Sequence, residues 1–140
     1  MRTIKFRLRL DNKIVGYEKW YSGERAPDEN RPEERYWRAN PCWLYSEDGK
    51  YWKPTSIFHN HKDQYTGLKD KNGVEIYEGD IVNLIPQGYA VVPAIVQWAD
   101  EEMRWVCHRP ETDTGSYLTS DSEVQVIGNI HENKELLEGK

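Results

Sequence analysis

The chain has 140 residues, enough for one domain with a sizeable core or for a barrel plus a smaller β subdomain, and too few for two full independent domains. Its net charge of −5 is uneven: residues 99–140 hold ten acids against four Lys/Arg while the rest is near neutral, which argues against a broad duplex-binding basic face. Six Trp and nine Tyr supply large amphipathic surfaces and argue against a disordered chain.

The opening "TIKFRLRL" alternates Ile4, Phe6, Leu8 and Leu10 with Lys5, Arg7 and Arg9, a period of two that predicts a strand with one apolar and one basic face. "DNK" supplies turn residues and "IVGYEKWY" the returning strand of a hairpin. No continuous apolar run like that of a signal peptide stands at the N-terminus, and no stretch approaches a membrane span, so a cytoplasmic location with Cys42 and Cys107 reduced is expected. Between residues 22 and 38 the mixed charges, with Pro27 and Pro32, read as an exposed loop. "CWLYSEDGKYWKP" then flanks Asp48-Gly49 with aromatic segments, a hairpin signal, and "TSIFHNH" reads as a short strand.

From Gln64 the glycines leave little room for a helix. "DIVNLI" and "AVVPAIVQWA" read as strands, the second meeting a bulge, edge or bend at Pro93 because proline cannot donate a ladder bond. "RWVCHR" and "SEVQVIGNI" supply two more, and only "ENKELLEGK" has helical character. Short strands and turns from about Asp80 to Ile130 suit a small barrel, SH3-like or related.

The densest cluster of special residues is "DKNGVEIYEGDIV". Asp70, Glu75, Glu78 and Asp80 suggest a cation loop, but an EF-hand needs a closing Glu at its twelfth position, and counting from Asp70 puts Ile81 there. Lys69 and Lys71 oppose a cation further. Asn72-Gly73 is better explained as a type I′ hairpin turn, and Gly79 as a turn feeding the next strand.

"TIKFR", "QYTGLKDKNGVEIYEGDIV" and "VQVIGNIHENKELL", in this order and spacing, resemble the characteristic blocks of the YopX family of bacteriophage and prophage proteins. The resemblance implies a β-rich fold with a barrel-like C-terminal part and a phage or prophage origin. It implies no activity and carries over no catalytic residue.

His59 and His61 sit two apart, and on a strand would share a face with Asp63; with Cys107, His108 or His131 as a further ligand they make a metal site conceivable, against the alternative of a polar strand face. Cys107 and His108 are adjacent, so a strand points them to opposite faces and they cannot pair. No GxSxG motif is present. A basic face of Arg2, Lys5, Arg7 and Arg9, interleaved with Tyr36, Trp37, Arg38, Trp43, Tyr45, Tyr51 and Trp52, has the chemistry of a single-strand nucleic-acid platform, or else is a solvated strand face over an aromatic core.

The expectation is therefore an all-β protein: a β-hairpin and aromatic region over 1–63, then the signature hairpin and a small barrel over 64–140. It is expected to be a non-catalytic binding module without a cofactor, for a phage or host protein partner in the bacterial cytoplasm. Self-association through strand edges, single-stranded nucleic acid at Arg7, Arg9, Tyr36, Trp37, Arg38, Trp43 and Trp52, and a metal-dependent enzyme at His59/His61 are the alternatives.

Overall fold

A computed structural model describes residues 3–23, 40–84, 92–110, 114–120 and 122–137. The described residues are almost all β and fall into two compact units, Met1–Lys62 and Asp63–Lys140. The all-β expectation holds. Among the described residues no helix is long and apolar enough to cross a membrane.

The first unit contains β1 (Lys5–Leu10), β2 (Lys13–Tyr21) and β3 (Cys42–Ser46), antiparallel in the order β3-β2-β1. The β1–β2 turn is tight, with Asp11 at φ 55, and a register shift after Leu8 bends the pair. β4 (His61–Lys69) starts at the end of this unit. The predicted strand at "TSIFHNH" is absent: residues 54–60 form a loop instead.

In the second unit β4 pairs with β5 (Glu75–Tyr77), and a five-stranded antiparallel sheet follows in the order β10-β6-β7-β8-β9. Its members are β6 (Asp80–Leu84), β7 (Val92–Ala99), β8 (Arg104–Arg109), β9 (Thr114–Tyr117) and β10 (Val124–Asn129), with a 3-10 turn at Lys134–Leu137. Strand alternation directs Ala94 and Val96 of β7 and Trp105 and Cys107 of β8 into one core with Ile76, Val82, Leu84, Leu118 and Val124. Each larger apolar side chain there contributes about 1.5–3 kcal/mol relative to exposure. Trp98 and Trp105 face each other across the ladder and meet edge to face at 5.2 Å. Pro93 pairs with Asn83 of β6, and the β8 ladder begins only at Ile95, so the missing donor breaks no β7–β8 bond.

The expected barrel is not closed. β9 and β10 are the outer strands of an open sheet. The backbone groups of β10 that a closing strand would use are taken elsewhere: Val124 O accepts from Lys71 N at 3.1 Å, and Val126 N donates to Asp70 Oδ2 at 3.0 Å. A turn thus caps this edge where a ladder would be needed.

That turn also differs from the type I′ expectation. Gly73 N bonds to Asp70 O, Asp70 N bonds to Val74 O, and only Gly73 of the two central candidates has positive φ (81°). This is a type I turn followed by a left-handed glycine, the usual three-residue hairpin loop. Asp70 Oδ1 accepts from Asn72 N and Val74 N at 2.8 and 2.9 Å.

Burial acts to raise the Asp70 pKa, but the bonds from Val126, Val74 and Asn72 and the charge of Lys71 outweigh it and hold the carboxyl below its usual range. The stabilisation is complete above the unfolded carboxyl pKa of about 4 and is lost as pH falls through the depressed native value. Asp70→Ala should lower the unfolding free energy by about 2–4 kcal/mol in urea titrations at pH 7. The gap between wild type and Asp70→Asn should be widest near neutrality and close in strong acid. A gap independent of pH would assign the role of Asp70 to shape alone.

Candidate functional site

The first unit carries the exposed rings and the groove from which a site can be built. Its edge hairpin is shaped by Asp48, whose Oδ1 accepts from Ser46 Oγ, Lys50 N and Tyr51 N while Gly49 adopts φ 82°. Those bonds, those of the Lys50 and Tyr51 amides foremost, hold the Asp48 carboxyl below its ordinary pKa. Tyr45 and Lys53 then exchange backbone bonds of 2.7 and 3.0 Å.

The following loop is seated on β2 at Gly16. A Cβ there would lie 2.7 Å from both Ile57 Cδ1 and Ser46 O, so only glycine leaves the notch that Ile57 fills. At the loop's end Asn60 Nδ2 donates to Asp11 Oδ1, Asn60 Oδ1 accepts from Asp11 N, and Asn60 N bonds to Arg9 O. Between these anchors lies a groove of about 780 Å³ whose walls include Tyr45, Tyr51, Lys53, Ser56 and Phe58.

Cross-strand register sorts the remaining side chains. Phe6 faces Glu18, Glu18 faces Tyr45, and Trp20 faces Trp43, so these five share one sheet face. Trp20 and Trp43 are 41% and 38% exposed and meet edge to face at 5.2 Å, with Phe6 6.3 Å from Trp43. Lys5 faces Lys19 on the opposite side, and both ammonium groups lie over Trp52, at 5.8 and 4.2 Å.

Glu18 is only 2% exposed. Its Oε1 takes a 2.6 Å bond from Lys62 Nζ, which also sits 5.3 Å over Phe6 and 5.8 Å over Trp43. Burial raises the pKa of Tyr45; its bond to Glu18 and that residue's charge push the same way, against a smaller opposing bond from Ser56. A buried carboxylate, a lysine and a phenol thus lie beside the exposed tryptophans on one sheet face.

Of the seven residues predicted to bind, Tyr36, Trp37 and Arg38 lie outside the described residues. Trp43 and Trp52 are on opposite faces of the sheet and cannot form one platform. Arg7 is 5% exposed, so the basic strand face is not a solvated one at its centre, and Arg9 spends Nη1 on Asp11 O. Trp20, Phe6, Lys62 and Phe58 are not among the residues expected to bind; the spacing of Glu18 and Trp20 hints at a shared face, but their partners depend on register.

His59 and His61 are not brought into a ligand set: His59 Nδ1 contacts Ile57 O at 2.6 Å, His61 is exposed at the start of β4, and no group of three metal-ligating side chains occurs among the described residues. His131 Nε2 lies 3.5 Å from buried Asp63. Cys107 is buried, and desolvation, against a lesser effect of Arg109, pushes its thiol up to about 11, which makes it a poor nucleophile.

The family model described as "YopX protein" matches residues 18–138, nearly the whole chain from within β2 onward. The chain belongs to the YopX family. The crystal structure of protein EF1440 from Enterococcus faecalis is similar at 31% identity over 66% of this chain, with a TM-score of 0.39, and this chain spans 63% of that one. No curated protein matches. In this YopX family member the densest motif, residues 70–82, is absorbed in turns and core.

Lys62→Ala should cost about 1–3 kcal/mol, less than the roughly 3–5 for breaking a fully buried pair because Lys62 is partly exposed. Adding Glu18→Gln should recover most of that loss, because no buried charge then lacks its cation. Additive effects in a double-mutant cycle followed by circular dichroism would deny the coupling.

Proposed function

We propose that the chain is a phage or prophage accessory protein that acts as a non-catalytic binding module in the host cytoplasm, with a phage or host protein as its partner. The observation that carries this reading is the Trp20–Trp43 pair, two large exposed rings packed on each other and braced by Phe6 and Lys62. Aromatic side chains held rigid at a surface are the commonest energetic centres of protein interfaces, because they bury much area at little cost in rotamer entropy. The Lys62–Glu18 bond beside them supplies that rigidity.

A nucleic-acid reading has less support, since the overall charge is −5 and the tryptophans are divided between two faces. Affinity capture from infected or lysogenic cells, followed by titration of the purified partner, tests the protein-binding reading. Trp20→Ala and Trp43→Ala should each weaken binding tenfold or more, about 1.4 kcal/mol or above. Unchanged affinity in both variants would sink it. So would salt-sensitive capture of single-stranded oligonucleotide that is abolished by Lys19→Glu.

A further inference from the structure

We infer that the groove between β3 and the loop that follows it is a peptide site, and that its occupant is an extended, proline-rich segment carrying a basic residue. The inference rests on the protein-binding reading but concerns a different set of side chains. Phe58 is 80% exposed and Tyr51 61% exposed, and the two rings belong to the walls of one groove. A single exposed ring needs no explanation, but two along one groove do.

The volume of about 780 Å³ falls within the roughly 300–1,000 Å³ of ligand sites. The walls are held before any ligand arrives. The Asp48 turn, the Tyr45–Lys53 bonds, the Ile57 notch at Gly16 and the Asn60–Asp11 clasp fix the backbone at several points around the groove. An occupant therefore meets little ordering cost on the protein side.

The lining chemistry selects the occupant. Aromatic walls accept the flat faces of proline rings, and a polyproline II segment has no internal hydrogen bonds, so its carbonyls can accept from a hydroxyl such as that of Thr55. Among the residues lining the groove, Glu47 and Asp48 set two carboxylates against the ammonium of Lys53. That balance favours Lys or Arg in the peptide and disfavours phosphates, so a nucleic-acid strand is the poorer fit.

The test uses the full chain, 15N-labelled, titrated with a synthetic Pro-Pro-Leu-Pro-Pro-Arg peptide. Two control peptides replace the arginine by glutamate or all prolines by alanine. Saturable shifts confined to residues 45–58 are expected with the first peptide, and at least tenfold weaker binding with each control. Phe58→Ala, at a site too exposed to threaten folding, should weaken the first peptide tenfold or more. Glu47→Lys should narrow or reverse the preference between the arginine and glutamate peptides.

No saturable shift at residues 45–58, or equal binding of all three peptides, would overturn the inference. If the groove stays empty while a captured partner still requires Trp20 and Trp43, the groove proposal fails and the binding-module reading stands. If the peptide binds while Trp20→Ala and Trp43→Ala leave every captured partner unaffected, the groove proposal stands and the Trp20–Trp43 surface is not where partners bind.

Discussion

The carboxylate of Asp70 accepts amide hydrogens from Asn72, Val74 and Val126, and through them one side chain shapes a hairpin and terminates the edge of a sheet. Two of these bonds are local and close the turn; the third reaches β10, where Lys71 N adds a backbone bond to Val124 O. This constraint accounts for the open sheet of the second unit, since β10 has no ladder left to offer there. It also accounts for why a carboxylate-rich loop is not a cation site, because both oxygens of its first acid already face amides. Asp80 behaves alike, with Oδ2 accepting from Tyr77 N at 2.8 Å. Gly79 between them donates to Val96 O and accepts from Ile130 N, so "EGD" joins β7 to the end of β10.

The C-terminal turn closes on the same logic. A Cβ at Gly128 would lie 2.6 Å from Asn133 Oδ1, and that oxygen accepts from Asn129 N while Asn133 N bonds to Asn129 O. Asn129 in turn accepts from the amides of His131 and Glu132. Small polar side chains satisfy backbone groups that an irregular segment would otherwise leave unpaired. The blocks by which the chain resembles its family are thus largely the residues that make the turns of this unit possible.

Much of the strand content was legible because period-two patterning is local: "TIKFRLRL", "DIVNL" and "RWVCHR" all form strands near their expected limits. Turn chemistry was legible in kind and less so in type, since Asn72-Gly73 satisfies both a I′ turn and the observed loop, and the choice rests on how Asp70 is bonded. Barrel closure was not legible. It depends on what meets β10 from residues more than fifty positions earlier, and no window of sequence contains that meeting. The segment "TSIFHNH" reads as a short strand, yet Ile57 is used to fill the Gly16 notch, a tertiary contact that overrides local preference.

The surface was the least legible part, and for a related reason. Phe6, Glu18, Trp43 and Lys62 lie far apart along the chain and are brought together by register alone, while Trp52, only nine positions from Trp43, ends on the other face. Composition can say that tryptophans and basic residues are abundant, but not which of them share a side. The buried Glu18 resolves the matter in this unit: its carboxylate draws Lys62 over Phe6 and Trp43, which keeps that ammonium against the aromatic rings. The Glu18–Lys62 pair is thus part of the support on which the aromatic surface rests.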